Sequence, residues 1–409
     1  MRRTERTGPG ERTRAAVRTA HRGAARTGRA ARTGRTAPAA AVLALTALTA
    51  ALASCTASGG PAARDDGAPP GDERRRPFTL LAAGDIVPHP SIVRQAAEDA
   101  GGDGYDFSRI LAGVKPVVAS ADVALCHMET PYGGEDGPFT GSPTFRSPPQ
   151  LAEALRTTGY DSCSTASDHS LDDGFAGVRR TLDALDEAGV RHAGTARDPR
   201  EAARPARLRA GGAEIAHLSY TYGTDGIPLP DGRPWAVNLL DPDRVIADAR
   251  AARRDGADVV VVSLHWGTEW QQAPDGLQKE LARRLTAART EGRGDIDLLI
   301  GTHNHVAQPY EKVNGTWVVY GLGSQMAGFV PAEKRGGNEG SMARFTFAPE
   351  PGGGGWTVSR AEYLAVHSDT GPPFRVVPAT EEDFPEVRER VRQAVLSRGA
   401  AGDGLTEGR

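Results

Sequence analysis

The chain has 409 residues, of which 39% are hydrophobic and 25% charged, with 50 Gly and 29 Pro. It is too long for one small domain and holds enough apolar material for one large core. A formal net charge of −3 excludes a nucleic-acid binder that works by bulk charge, and three Cys exclude a disulfide-rich scaffold or a cysteine-cluster zinc module.

That charge is unevenly laid out. Residues 1–36 carry 11 Arg against two acids, Glu5 and Glu11. An uncharged stretch from Ala37 to Ala53 follows, and it closes on Leu52-Ala53-Ser54-Cys55. A basic leader, a short apolar run and small residues are the order of a secretory signal, and the run is shorter than the roughly 20 residues of a spanning helix. Leu-Ala-Ser-Cys resembles a bacterial lipobox, in which Cys55 takes the lipid and becomes the mature N-terminus. The plainer alternative is a membrane anchor with a chance Cys. Residues 1–54 are therefore expected to be an export signal. Taking 11 Arg from 49 Lys+Arg and two acids from 52 Asp+Glu leaves 38 against 50, a formal charge of −12. The expectation is an acidic extracytoplasmic protein, lipid-anchored to the cell membrane, with residues 55–77 as a flexible tether.

From Phe78 onward short apolar runs alternate with helical patterns. The sequence predicts strands at 78–85, 122–129, 160–169, 258–267 and 297–305. Helices are predicted at 91–99, 148–158, 174–188, 241–254 and 275–291. Runs apolar on both faces, separated by helices, read as an α/β fold with largely parallel strands. Later runs at 317–320, 343–348 and 356–366 read as antiparallel, with a hairpin break at Pro351-Gly352-Gly353-Gly354-Gly355. The expected domain is 78–397, and 398–409, Gly-rich and polar, are expected to be a disordered tail. Cys126 and Cys163 lie in apolar runs, as two buried thiols or as a disulfide.

Residues able to bind metal fall where these strands end. The first ends at Asp85, the second at His127 and Glu129, and the third at Asp168-His169. The fourth ends at His265, with Trp266 and Glu269 beyond it, and the fifth at His303-Asn304-His305. The carboxyl ends of parallel strands share one edge, where ligands bind. Singly, each residue has a bland reading: Asp85, or Asp172 and Asp173, as helix caps, and His192, His217 and His367 as structural. His89 could lie near the site or away from it. Together they point to metal, because burying such groups unpaired costs several kcal/mol. An oxygen and nitrogen set suits Mn, Fe, Zn or Mg. Asp85, Glu129, Asp168, His265, His303 and His305 are more donors than one tetrahedral site needs and fit two divalent ions, which would bind a substrate oxygen and activate a water. His169 is placed to give a proton to the leaving group. His127, Trp266, Glu269 and Asn304 then stand behind the ligands or against substrate. Neither a phosphate loop, an H-E-x-x-H helix nor a G-x-S-x-G elbow occurs.

Several ordered motifs resemble the CapA family of poly-gamma-glutamate capsule biosynthesis proteins. They are Gly84-Asp85, Met128-Glu129-Thr130-Pro131, Ala166-Ser167-Asp168-His169 with Asp172 and Gly174, and His265-Trp266-Gly267-Thr268-Glu269 with Pro274 and Gln278. Gly301-Thr302-His303-Asn304-His305 and Tyr320-Gly321-Leu322-Gly323 complete the set. That family is similar to the calcineurin-like metallophosphoesterases. The resemblance implies two central β-sheets flanked by helices, with a dinuclear metal edge. It puts the six candidate ligands on metal-site positions and His169 on the proton-donor position. It also implies a role in making or anchoring an anionic γ-linked glutamate polymer or a related envelope polymer. Here Asp168 stands where the family has Asn, and His127 where Asn precedes the Glu motif. The expected function is a metal-dependent hydrolase or transferase acting on a phosphoester or on the polymer. The alternative is a non-catalytic polymer-binding subunit of a membrane synthesis or export complex, whose other capsule-synthesis subunits would be its partners.

Overall fold

The computed structural model describes residues 75–329, 334 and 336–409. The expected export signal, the expected lipobox at Cys55 and all but the end of the expected tether lie outside the described residues. In chain order the strands are β1 (Phe78–Val87), β2 (Val123–Met128), β3 (Ser162–Ser164), β4 (Arg191–Ala193), β5 (Ala206–Ala210), β6 (Ala213–Thr221), β7 (Val259–His265), β8 (Arg289–Thr290) and β9 (Arg293–Gly294). They continue as β10 (Leu298–Thr302), β11 (Tyr310–Val313), β12 (Thr316–Val319), β13 (Ser324–Ala327), β14 (Glu339–Pro349), β15 (Trp356–Asp369), β16 (Arg375–Pro378) and β17 (Leu405–Glu407). The helices are α1 (Pro90–Asp99), α2 (Ser108–Leu111), α3 (Lys115–Val118), α4 (Leu151–Thr158), α5 (Gly174–Ala188), α6 (Pro199–Ala202), α7 (Pro242–Arg254), α8 (Gly276–Ala287) and α9 (Pro385–Leu396).

Two mixed sheets carry the fold. The larger runs β16-β15-β14-β1-β2-β3-β4, with β13 also on β1 and β17 on β15, and the smaller runs β11-β12-β10-β7-β6-β5. Side-chain alternation explains why both sheets are covered on both faces. Leu80, Ala82, Val259 and Val261 point into one core shared by the sheets. Leu81 and Ala83 point the other way, onto Ile92, Ile110 and Leu155 of the helices outside the larger sheet. Val260 and Val262 likewise meet Val245, Ala249, Leu281 and Leu285 of α7 and α8. Each fully buried Val or Leu contributes roughly 1.5–3 kcal/mol, which favours this layering over any register shifted by one residue. Two β-sheets flanked by helices are the architecture expected from the resemblance. Among the described residues no helix is long and apolar enough to cross a membrane.

Local chemistry sets the helix ends. Asp275 and Gln278 form a reciprocal capping box on α8, and Asp241 caps α7 ahead of Pro242. Gly189 ends α5 in the left-handed conformation, at φ 76°.

Some expectations differ from the structure, and one alternative left open is decided by it. Only 162–164 of the predicted 160–169 strand pair; the remainder turns toward the sheet edge. The tail 398–409 is not frayed: β17 pairs in parallel with β15, Leu405 is buried, and Glu407 meets Arg388. Composition hid this, because buried Ala400 and Leu405 and the ion pairs Arg398–Glu311 and Arg388–Glu407 fix an otherwise polar segment. Asp172 and Asp173 do not cap α5 with their side chains; Asp173 pairs with Arg146 and Arg180, and Asp172 serves His169. Finally, Cys126 and Cys163 are register partners on β2 and β3 and form a disulfide.

His217 lies wholly buried between the sheets, 3.0 Å from Ser162 Oγ and 2.9 Å from Ser263 Oγ. Burial pushes it down to about 4 from 6.5. The folded state thus resists a proton that the unfolded chain accepts, so this contribution is whole above pH 6.5 and lost as pH falls toward 4. His217→Gln is expected to flatten that part of the pH dependence of unfolding free energy, by up to roughly 3 kcal/mol. An unchanged slope in denaturant titrations across the window would refute it.

Candidate metal centre

Both sheets end at the same edge. β1 and β2 bring Asp85, His127 and Glu129, and the loop after β3 brings Asp168 and His169, all from the larger sheet. β7 and β10 of the smaller sheet bring His265 and, in the following loop, His303 and His305. The sequence predicted the strand ends, but it did not show that they come from two facing sheets.

The edge is held close by glycines. A Cβ on Gly84 would lie 1.8 Å from the carbonyl oxygen of Gly323, and one on Gly301 would lie 1.9 Å from that of Tyr320. Neither obstacle is a movable side chain. Gly84→Ala is therefore expected to destabilise by about 1–3 kcal/mol or more and to displace Asp85 beside it. Denaturant unfolding checks this, and a loss below about 0.5 kcal/mol, the ordinary range for surface substitutions, would contradict it. His303 and His305 have φ of 90° and 55°, left-handed values that cost about 1–3 kcal/mol each in a non-Gly residue and gather at functional sites.

Within this edge, ligand atoms of Asp85, His127, Glu129 and His265 lie within 4.8 Å of one another. So do those of Asp168, His265 and His303, and those of Glu129, Asp168 and His169. His265 is thus common to two groups. Its Nε2 is 3.0 Å from Asp168 Oδ1, and its Nδ1 is 3.1 Å from Thr302 Oγ1. Asp168 Oδ2 is 3.4 Å from His303 Nδ1. His305 stands to one side, with Nδ1 3.2 Å from Asp85 Oδ2 and Nε2 3.7 Å from Glu129 Oε1. His127, which the sequence reading placed behind the ligands, is at ligand distance. Its Nδ1 is 2.8 Å from Ser164 Oγ, which leaves Nε2 directed elsewhere.

The donor set fits divalent metal on two grounds. First, Asp85 Oδ2, His127 Nε2, Glu129 Oε2, His303 Nδ1 and His305 Nδ1 are buried without a hydrogen-bond partner. Five such atoms at one edge carry a desolvation cost that a shared cation would offset. Second, the charges conflict. Burial raises the Glu129 carboxyl well above its usual range, and the charges of Asp85 and Asp168 push it further. Burial would raise Asp85 too, but His305, His127 and His265 hold it below the ordinary carboxylate value. Asp168 is likewise held low against its own burial by His265 and His303. Burial and the neighbouring His265 push His127 and His303 down to about 3, so both imidazoles are neutral donors. Neutral imidazole and carboxylate are the forms that bind metal.

His169 is positioned differently. Its Nδ1 is 2.8 Å from Asp172 Oδ2. A carboxylate only accepts, so Nδ1 carries the proton and Nε2 is left for other work. Burial would lower its pKa, but Asp172 and Asp168 outweigh burial and raise it. Asp172 is itself fixed by the Phe145 backbone N–H, at 2.7 Å.

Around this centre, Trp266 is fully buried and donates from Nε1 to the Tyr320 carbonyl, so it supports the edge from behind. The Asn304 amide donates to the carbonyls of Trp266 and Thr268. Glu269 stands at the rim, half-exposed, 3.9 Å from His305. His89 lies one layer out, its ring against Phe145 and Phe329. The sequence reading missed Tyr222, which follows β6. It is 47% exposed, its hydroxyl donates to Asp168 Oδ2 at 3.2 Å, and its ring lies 4.7 Å from that of His303.

The sequence pattern of the bacterial capsule synthesis proteins, PGA_cap, matches residues 79–328, which hold every candidate ligand together with His169 and Tyr222. The chain belongs to that family. It is 26% identical over 236 residues to the PGA biosynthesis protein CapA of Bacillus subtilis, covering 57% of this chain and 59% of that one. A "probable polyglutamine synthesis accessory protein" of Mycobacterium tuberculosis is 30% identical over 217 residues, covering 50% and 55%. The matched part thus spans little more than half the length of these relatives. Among solved structures, a 5'-nucleotidase precursor from Thermus thermophilus superposes with a TM-score of 0.44 at 17% identity, covering 80% of this chain and 59% of that one. The calcineurin-like phosphoesterase YfkN of Bacillus subtilis gives 0.41 at 15% identity, covering 79% and 98%. Likeness of that degree says nothing of activity.

Proposed function

We propose that this PGA_cap protein is a metal-dependent hydrolase or transferase of the cell envelope. In this reading it is held outside the membrane by a lipid on Cys55, and it acts in the synthesis or anchoring of poly-γ-glutamate capsule or a related polymer. The observation that carries the catalytic part is the meeting, at one edge, of unpartnered buried ligand atoms from two sheets. Divalent ions held there would supply Lewis acidity to a phosphoryl or amide oxygen. Asp85, His127 and Glu129 would hold one, and Asp168 and His303 a second, with His265 in reach of either.

The chain's own residues do the rest. Asp172 orients His169 and keeps its proton, so that Nε2 faces the edge where a leaving oxygen or nitrogen needs one. The Tyr222 phenol, tied to Asp168, forms one wall of the entrance. The accessory reading, a subunit that holds polymer without turning it over, draws on the name of the mycobacterial relative. A screen of metal-loaded protein on phosphodiester and γ-glutamyl substrates separates the two. Turnover that disappears in Asp85→Ala supports the enzyme, and a lack of turnover on both substrate classes sinks it. For the anchor, Cys55→Ala should release the protein from the membrane fraction; continued membrane association would refute the lipid attachment.

A further inference from the structure

β4 and β5 are the outermost strands of their two sheets, and the chain between them crosses the open flank of the sandwich through α6. An open cavity of about 730 Å³ lies there, and its lining includes Arg191, Arg197, Arg200, Arg204 and Arg207. None of the candidate metal ligands at the shared sheet edge lines it, although Asp186, His192 and Glu201 of its lining also lie within 4.8 Å of one another.

The acids in this cavity are already engaged. Arg197 pairs with Asp183, Asp186 and Glu201. The Asp198 carboxylate accepts from the backbone N–H groups of Arg200 and Glu201. Among the described residues, Arg191, Arg200 and Arg204 are exposed and have no carboxylate partner. The Arg207 guanidinium donates to the carbonyls of Ala252 and Asp255 and keeps its charge uncompensated. Five guanidinium groups against the carboxylates of Asp186, Asp198 and Glu201 leave this lining with a net positive charge, on a chain whose formal net charge is negative.

We infer that this groove binds a linear polycarboxylate, with successive carboxylates of a glutamate chain paired to Arg191, Arg200, Arg204 and Arg207. This rests on the polymer part of the proposed function and adds to it a holding site apart from the metal edge. Guanidinium matches carboxylate in a two-pronged geometry that an ammonium cannot copy. Each exposed pair is weak alone, and linkage along one chain turns several weak pairs into useful affinity. Such binding weakens as salt rises.

The test is fluorescence anisotropy of labelled poly-γ-glutamate with the full chain, at low and at physiological salt, beside a polyglycerol phosphate of similar length. The triple variant Arg191→Ser, Arg200→Ser, Arg204→Ser changes exposed residues only, and its metal content and melting temperature serve as folding controls. The inference expects poly-γ-glutamate binding that falls with salt and weakens at least ~10-fold in the variant, with both controls unchanged. Equal binding by wild type and variant overturns the groove and leaves the polymer reading standing. Polyglycerol phosphate bound as tightly as polyglutamate overturns the polycarboxylate occupant. Failure of the wild-type chain to bind polyglutamate at low salt overturns the inference, and the turnover screen above then decides whether the proposed function falls with it.

Discussion

Replacing His169 with Gln is expected to lower turnover by about 10²–10⁴-fold while leaving bound metal unchanged. The expectation follows from its geometry. Asp172 fixes the Nδ1 proton at 2.8 Å and, with Asp168, raises the imidazole pKa, so the ring is oriented and its protonated form is favoured. It also lies within 4.8 Å of Glu129 and Asp168, close enough that a ligand role has to be tested separately. The two roles give different results. A donor shows lost rate with full metal content, whereas a ligand shows lost metal. A substrate with a very acidic leaving group should recover much of the rate in His169→Gln, because it needs no proton. Equal loss on good and poor leaving groups would refute the donor role.

Asp168→Ala is expected to weaken the ion shared with His265 and His303 by at least ~10–100-fold, the scale seen even for groups one step removed from a metal. The ion held by Asp85, His127 and Glu129 should survive. Asp168 stands 3.0 Å from His265 and 3.4 Å from His303, and it ties both imidazoles to the loop after β3. Titration with a divalent metal, read calorimetrically, should show two events in the wild type and one in the variant. Two unchanged events would remove Asp168 from the ligand set. Asp168→Asn, which keeps one oxygen donor but removes the charge, is expected to retain both events with a weaker second one.

Much of the layout is legible before any coordinates. The span 174–188 is α5 residue for residue, and the runs at 258–267 and 297–305 contain β7 and β10, because strands covered on both faces need continuous β-branched and aliphatic residues. The β5–β6 hairpin went unread although Gly211-Gly212 separates its strands with a strong turn signal. β6 carries Glu214, His217 and Ser219 and lacks a clean alternation, since it is buried on nearly every side chain. Missing β6 also meant missing Tyr222, which follows it. His127 was read as a residue behind the ligands because a strand pattern shows which residues share an edge but not how far each side chain reaches across it. Asp172 was misread for a related reason. Its position just before a helix suits a cap, and only the packing of His169 and Phe145 shows that the carboxylate turns to them instead.

The disulfide and the tail show the same limit. Two Cys 37 residues apart in apolar runs are compatible with thiols, and it is the register of β2 on β3 that makes them neighbours. A polar, Gly-rich end is compatible with disorder until Leu405 finds the space beside β15.

The account rests on the claim that the shared edge of the two sheets binds divalent metal. Elemental analysis of the protein purified without chelator, beside the double variant Asp85→Ala, His303→Ala, tests it most directly. Two equivalents of a divalent metal in the wild type and loss of both in the variant are predicted. A metal-free wild type that takes up none on incubation with Mn, Fe, Zn or Mg, or a variant with undiminished content, would contradict it.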